Sequence, residues 1–187
     1  MTQLSSFILD IRNLSQSEIE QKYGSFFLTH YIEDDEMDDS WSFQTNSVSN
    51  STVSKVRDLV ESGIRLNADA HRFVAFPVQK NPKVQNPWTD RISVGRAHNN
   101  DIFIRDSSVS KLHCYFTTLN DSLVLQDAGS RNGTMVNSEI LAEKKAPSLK
   151  DGDEIMVGKI GFKLLSTQSF CEFIRSKTLK PKGTEAT

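Results

Sequence analysis

Three short stretches of the 187-residue chain decide its predicted fold: Gly95-Arg96, Ser110-Lys111-Leu112-His113 and Ser130-Arg131-Asn132-Gly133-Thr134. Each stretch lies between segments rich in β-forming residues, which predicts three turns between strands. Together the turns carry a guanidinium, a hydroxyl, an ammonium and an amide. This set of groups favours the binding of an anionic ligand over bond-breaking chemistry.

Short β-rich segments surround these turns from residue 71 onward. They are separated by turn signals such as Asn-Pro, Gly-Arg, Asn-Asp, Asn-Gly and Asp-Gly. We predict strands at 73–78, 91–94, 101–104, 112–116, 122–126, 134–136, 154–157 and 160–165. Many short strands with frequent turns indicate a β-sandwich or barrel, and residues 71–166 are assigned to this all-β domain.

Residues 1–70 are predicted to be an N-terminal extension. Ser15 and Glu18 have the spacing of a capping box, so a helix should begin after Ser15 and end near Gly24. The apolar cluster at 26–28 is expected to dock on the domain. The rest of the extension comprises an acidic run at 33–39, a flexible Ser/Thr/Asn-rich linker at 40–52 and a second amphipathic helix at 53–64.

Residues 167–187 are predicted to be a short helix followed by a disordered tail. Ser169 and Glu172 have the spacing of a second capping box. Phe170, Phe173 and Ile174 would give that helix an apolar face.

Charge is unevenly distributed along the chain. Residues 1–70 hold 12 acidic and 5 basic residues, a net charge of −7, whereas residues 71–187 hold 12 and 17, a net charge of +5. The second part is therefore the expected anion binder. It shows no nucleic-acid-binding motif, so we expect no nucleic-acid partner. The chain has no apolar run of membrane-spanning length and no signal-peptide pattern at its start, so we expect a cytoplasmic protein with no membrane contact.

Several patterns argue against an enzyme. His113 and Cys114 are neighbours, but consecutive strand residues point to opposite faces and cannot readily form a nucleophile–base pair. Cys114 and Cys171 are too few for a disulfide framework and are expected to be reduced thiols. The acidic run lacks the spacing of a calcium-binding loop. We expect no catalytic activity, no cofactor and no metal.

The segments around the three turns resemble a forkhead-associated (FHA) domain. The resemblance rests on residues 92–96, 100–102, 106–113, 127–134, 137 and 149–153 with Gly158, in that order. It covers about residues 71–166, and the surrounding short helices are similar to those of stand-alone bacterial FHA proteins. It implies a mainly β fold, an eleven-stranded β-sandwich with short flanking helices, that binds phosphothreonine in peptides.

The same resemblance implies which residues touch the ligand. Arg96 would be the main phosphate ligand, and Ser110 would donate its hydroxyl to a phosphate oxygen. Asn132 would hold the peptide main chain on either side of the phosphothreonine. Lys111 and Arg131 would add positive charge beside the phosphate.

Other residues are expected to support the site without touching the ligand. By resemblance, His113 braces the binding loops through hydrogen bonds. Gly95 and Gly133 permit a close backbone approach or a positive φ angle. Preferences for peptide residues beyond the phosphothreonine are expected from the loop before Ser110, which carries Arg105, Asp106 and Ser108. Arg105 there would favour an acidic residue, and Asp106 would oppose it.

These observations predict a phosphothreonine-peptide-binding adaptor in a Ser/Thr kinase pathway, with a phosphorylated kinase or kinase substrate as its partner. One alternative is self-association, in which a phosphorylated Thr29, Thr45 or Thr52 docks into the chain's own site or that of a neighbour. The acidic run could also cover the site without phosphorylation. Another alternative is a phosphate-independent interaction or structural subunit that uses Phe26 and Phe27 of the extension as its interface.

Overall fold

The computed structural model describes residues 2–3, 5–32, 65–66, 72–142 and 145–179. Its strands are β1 (Thr2–Gln3), β2 (Phe26–Tyr31), β3 (Arg65–Leu66), β4 (Phe73–Pro77), β5 (Ile92–Gly95), β6 (Ile102–Phe103), β7 (Cys114–Leu119), β8 (Ser122–Asp127), β9 (Thr134–Val136), β10 (Glu139–Ile140), β11 (Glu154–Val157), β12 (Ile160–Ser166) and β13 (Thr178–Leu179). Its helices are α1 (Ser5–Asn13), α2 (Gln16–Tyr23) and α3 (Thr167–Lys177).

Two sheets form a β-sandwich, which confirms the predicted mainly β fold. Seven strands lie in the order β1-β4-β2-β12-β11-β9-β10, and four lie in the order β6-β5-β7-β8. The described residues also include a separate pair, β3 with β13. Inward-facing side chains of both sheets share one core, with Leu28, Val74 and Phe162 from the larger sheet and Val94 and Phe116 from the smaller.

Alternation of buried and exposed residues along the chain explains why these segments form strands. In β11, Ile155 and Val157 are buried while Glu154 and Met156 are exposed. Such alternation is expected of a strand with one face on a core.

Strand β2 was not predicted as part of the sheet. The sequence predicts residues 26–31 to be part of the N-terminal extension, whereas β2 pairs with β4 on one side and β12 on the other. The residues of β2 do not alternate between buried and exposed, because both faces of the strand are covered by other parts of the protein. Leu28 faces the sandwich core, and Phe27 faces a second apolar cluster.

The second cluster is a helical layer on the outer face of the larger sheet. Phe27 stacks on Phe170 of α3 with ring centroids 3.9 Å apart. Phe7 of α1 meets both rings edge-on, at 5.7 Å from Phe27 and 5.2 Å from Phe170. Edge-to-face and stacked contacts at such distances are favourable aromatic geometries. The first and last parts of the described chain therefore pack together over β2.

The helix boundaries follow local capping chemistry. The capping box of Ser15 and Glu18 is present, and α2 ends at Gly24 with a φ of 84°, as predicted. The predicted capping box at Ser169 is wrong. Ser166 is the N-cap of α3, and its hydroxyl accepts the Ser169 N–H at 3.2 Å.

Three predicted parts of the extension, at 33–39, 40–52 and 53–64, lie outside the described residues, as does the tail at 180–187. Within the described ranges, none of the helices has the length and apolar character needed to cross a membrane.

Candidate functional site

Four connecting segments meet at one end of the sandwich. They are residues 96–101 between β5 and β6, 104–113 between β6 and β7, 128–133 between β8 and β9, and 158–159 between β11 and β12. Main-chain hydrogen bonds join them. The Arg96 N–H donates to the Ser110 carbonyl at 2.8 Å, and the Gly158 N–H donates to the Gly133 carbonyl at 3.2 Å. The three predicted turns are thus brought together, with a fourth beside them.

Arg96 directly follows β5, and its side chain is exposed. Its Nε donates to the Val109 carbonyl at 3.0 Å, which fixes the base of the guanidinium against the neighbouring loop. Within the described part of the chain, Arg96 forms no ion pair. The remaining guanidinium N–H groups are therefore available for a forked interaction with an anion.

Ser110 lies beside Arg96, and its carbonyl accepts the Arg96 N–H at 2.8 Å. Its Oγ accepts the backbone N–H of Arg131 at 3.0 Å. The hydroxyl proton is left to donate to a ligand. The side chains of Lys111 and Arg131 are both exposed beside it. This cluster places one hydroxyl and three cationic residues around the same loop.

Asn132 contacts the same loop from the other side. Its Nδ2 donates to the Ser108 carbonyl at 2.6 Å, while the residue as a whole is exposed. With one amide proton so engaged, Oδ1 remains free to accept a peptide N–H. The side chain is therefore held in place before any ligand arrives.

His113 is fully buried and links two of the loops. Its Nδ1 accepts the Ser110 N–H at 2.9 Å, so the ring proton belongs on Nε2, which lies 2.9 Å from the Gly133 carbonyl and donates to it. The neutral ring thereby fixes the distance between Ser110 and the Asn132-Gly133 turn.

The two glycines of the site differ in what they provide. A Cβ on Gly95 would lie 2.4 Å from the Lys111 carbonyl oxygen, so this position has no room for a side chain. Asn100 completes that contact, because its Nδ2 donates to the same oxygen at 2.7 Å. Gly133 has open space around it but a φ of +79°, so this position needs the left-handed conformation.

Asp127 anchors the turn that carries Asn132. Its Oδ1 accepts the N–H groups of Gly129 and Ser130, each at 2.8 Å. Its Oδ2 accepts the hydroxyls of Ser130 at 2.7 Å and Thr134 at 2.6 Å. Burial raises the pKa of Asp127, but these hydrogen bonds favour the charged form more strongly, and the net pKa is lowered.

This lowered pKa predicts acid sensitivity. A carboxyl group whose pKa is lower in the folded state stabilises the fold above its unfolded pKa, about 3.9. That contribution is lost as the pH falls through the folded pKa. We expect the melting temperature to decline below about pH 4, and Asp127→Asn to be less stable at pH 7 but to show a shallower decline. Thermal unfolding followed by circular dichroism from pH 7 to pH 2.5 measures both effects.

The exposed Asp121 provides the control, since Asp121→Asn should give a curve parallel to that of the wild type. A decline of Asp127→Asn as steep as that of the wild type would contradict the prediction.

Ser108 was predicted only as part of the specificity loop, but it also organises the site. Its carbonyl holds Asn132, its Oγ accepts the Lys159 N–H at 3.0 Å, and its hydroxyl donates to Asp106. A Cβ on Gly158 would lie 2.7 Å from the Ser108 carbonyl oxygen. The sequence did not link Ser108 to Gly158, because the two residues lie 50 positions apart.

Cys114 is unsuited to nucleophilic chemistry. The residue is fully buried in the core of the sandwich, and burial raises the pKa of its thiol. Cys171 is also a buried free thiol. Among the residues that the structure describes, no group of three or more His, Cys, Asp and Glu side chains could hold a metal ion.

Comparison with known proteins identifies the segment that carries the site. Residues 92–158 match the family model described as the FHA domain. The "Oxoglutarate dehydrogenase inhibitor" of Corynebacterium jeikeium is 42% identical over 67 residues, which are 36% of this chain and 44% of that protein. The "Glycogen accumulation regulator GarA" of Mycobacterium tuberculosis is 40% identical over 67 residues, which are 36% of this chain and 40% of that protein. The chain thus matches less than half the length of these curated relatives.

Solved structures give matches of lower identity. The N-terminal FHA domain of S. cerevisiae Rad53p, in complex with a phosphothreonine peptide, is 20% identical with a TM-score of 0.43, covering 59% of this chain and 98% of that one. The FHA domain of CT664 protein from Chlamydia trachomatis is 23% identical with a TM-score of 0.42, covering 55% and 93%.

Proposed function

Because residues 92–158 are an FHA domain, we propose that this chain is a phosphothreonine-peptide-binding adaptor of a Ser/Thr kinase pathway in the cytoplasm. Its partner would be a threonine-phosphorylated kinase or kinase substrate. Arg96 and Ser110 would bind the phosphate with help from Lys111 and Arg131, and Asn132 would hold the peptide main chain. The chain would act by binding rather than by catalysis. The names of the two relatives, an inhibitor and a regulator, fit that role.

One observation carries this proposal. Arg96 Nε and Asn132 Nδ2 donate to the carbonyls of residues 109 and 108, and the backbone N–H of Arg131 donates to the Ser110 Oγ, so these three residues converge on the segment 108–110. A phosphothreonine side chain carries nearly two negative charges and three acceptor oxygens. Binding it requires charged donors from more than one direction, which this segment collects.

The structure also bears on the alternatives. Thr29 is buried in β2, and its hydroxyl donates to the Lys163 carbonyl at 3.1 Å, so it is a poor kinase substrate in the folded protein. Thr45, Thr52 and the acidic run lie outside the described residues. Phe27 is fully buried and Phe26 packs against the core, so these two side chains serve the fold rather than a partner.

A phosphopeptide array tests the proposal. Degenerate peptides with a fixed central phosphothreonine should bind the full chain, while the same peptides with threonine should not. Equal binding of the two sets would refute a phosphate-dependent function.

Ser110→Ala should weaken binding of the best array peptide by about tenfold, because one charge-assisted hydrogen bond is lost. Isothermal titration calorimetry measures this change. Ser122→Ala is the matched control, because Ser122 lies at the other end of β8 from the site and should leave affinity unchanged. Equal affinities of Ser110→Ala and Ser122→Ala would contradict the assigned role of Ser110.

A further inference from the structure

The outer face of the larger sheet carries a row of apolar residues beside the helical layer. Met156 of β11 pairs with Gly161 of β12 on one side and with Met135 of β9 on the other. Met135 pairs in turn with Ile140 of β10. The register of β12 with β2, continued by two residues, brings Tyr31 beside Gly161. Because register partners share one face of a sheet, these five residues form a single row across it, the outer row.

The outer row is open to solvent although it is apolar. Ile140 is 70% exposed, Met156 40% and Tyr31 38%. Gly161 adds no side chain, and a Cβ placed there would have nothing within 4 Å. A groove of about 310 Å³ runs along Met135, Met156 and Gly161. A contiguous exposed apolar surface of this kind marks a place where another element packs.

The chain leaves the sheet at one end of the outer row and returns beside the same end. Strand β2 ends at Tyr31, and residues 33–64 lie outside the described part of the chain. The chain re-enters at β3, which pairs with β13 directly after α3. The last residue of α3, Lys177, has its Nζ 4.5 Å from the ring centroid of Phe73, which is the register partner of Tyr31 on β4. Both ends of the 33–64 segment are therefore anchored next to Tyr31.

The second part of this segment has the pattern and the length needed to cover the outer row. The sequence predicts an amphipathic helix over 53–64, because its apolar residues recur at helical spacing, as Val53, Val56, Leu59, Val60 and Ile64. A helix of this length extends about 18 Å. The row from Tyr31 to Ile140 crosses four inter-strand spacings, which amount to about 19 Å. An amphipathic helix needs a surface on which to bury its apolar face, and the outer row matches it in length.

A single helix fits this surface better than a second copy of the chain does. The helical layer already covers the outer face of β4 and β2, which leaves β11, β9, β10 and the adjoining part of β12 open. Strand β11 has four residues and β9 has three. The open face is therefore about 13 Å or less along the strands, close to the diameter of one helix, about 10–12 Å. A stable dimer takes about 800 Å² from each partner.

We infer that residues 53–64 dock as a helix on the outer row and complete the outer layer of the larger sheet. Ile64 directly precedes β3, so the helix would end beside Tyr31 and extend across the row toward β10. Val60 would then lie about 6 Å back along the helix axis, which brings it to the part of the row that contains Met156.

The docked helix would tie the N-terminal extension to the candidate site. Met135 and Met156 each lie two residues from a glycine of the site turns, Gly133 and Gly158. Both ends of residues 33–52 would be held near these turns. Docking needs no phosphopeptide, so it stands or falls independently of the proposed function.

Cysteine cross-linking of the full chain tests the docking. Met156→Cys is combined either with Val60→Cys, on the apolar face of the predicted helix, or with Ser62→Cys, about 200° further around it. These two positions are two residues apart, so their tethers to the sheet are nearly equal. Under a mild oxidant, the Val60 pair should form an intramolecular disulfide about tenfold faster than the Ser62 pair, because the bond requires Cβ atoms about 3.8 Å apart. Peptide mapping by mass spectrometry identifies the bond.

The native thiols provide the background, and two outcomes would contradict the docking. Cys114 and Cys171 are buried, so the wild type should form no disulfide under the same oxidant. Equal rates for the Val60 and Ser62 pairs, or no intramolecular disulfide in either, would overturn the docking. So would a Met156→Cys single variant that forms a disulfide-linked dimer faster than the Val60 pair closes, because a second copy would then cover the outer row. Circular dichroism verifies that each variant is folded.

Discussion

Arg96→Ala is expected to weaken phosphothreonine-peptide binding on the order of 100-fold. A hydrogen bond to a charged group contributes about 1.5–3 kcal/mol, and the guanidinium can make two such bonds to one phosphate. Replacement by alanine also removes the Nε contact to Val109, which helps to hold the loop beside the phosphate. Isothermal titration calorimetry with the best array peptide measures the loss.

Two further variants test whether the loss of affinity is due to the Arg96 guanidinium. Arg91 lies just before the other end of β5, where it pairs with Asp90 at 2.8 Å, so Arg91→Ala should bind normally. Arg96→Lys keeps the charge but not the planar fork, and its affinity should fall between those of wild type and Arg96→Ala. Because the Arg96 side chain is exposed, the melting temperature of Arg96→Ala should differ little from that of the wild type. Wild-type affinity in Arg96→Ala would contradict the assigned role.

The parts of the fold that could be predicted are those with a local signal. Strands β5 and β11 are short, and β11 shows period-two alternation, while turn residues bound each of them. The capping box at Ser15 is equally local, since its two hydrogen bonds span three residues. Such features depend on neighbours in sequence, so a single chain is enough to detect them.

The parts that could not be predicted depend on contacts distant in sequence. Strand β2 is buried on both faces because a helical layer covers the face that a simple sandwich would expose. That layer brings Phe7 against Phe170, and no local pattern links two residues so far apart. The burial of Thr29 follows from the same arrangement, since β2 lies inside the sheet.

The candidate site also contains residues that the sequence pattern predicts and residues whose role depends on contacts distant in sequence. The sequence pattern pointed to Arg96, Ser110 and Asn132, and the structure places them around one loop. Whether they bind phosphate stays a prediction until the titrations are done. The organising role of Ser108 was not predicted, because it arises where the β11–β12 turn meets the loop that carries Ser108.

Gly95→Ala is expected to lower the free energy of unfolding by about 3 kcal/mol, because it overpacks a rigid contact. The new Cβ would lie 2.4 Å from the Lys111 carbonyl oxygen and 2.9 Å from its carbonyl carbon. Both atoms are backbone, and Asn100 holds the same oxygen through a 2.7 Å hydrogen bond. Relief therefore requires the loop that carries Ser110 to move. For a chain of this size, the melting temperature should fall by roughly 6–12 °C.

Gly161→Ala is the matched control for this prediction. Gly161 lies in β12 with open space around its missing side chain and no positive φ, so alanine there should change stability by less than about 0.5 kcal/mol. Urea unfolding of both variants separates the close approach at Gly95 from a general effect of replacing glycine in a strand. Since the clash pushes on the loop between β6 and β7, Gly95→Ala should also weaken phosphopeptide binding at temperatures where it remains folded. Equal stability of the two variants would show that this loop can move freely, and Gly95 would then have no role in positioning Ser110.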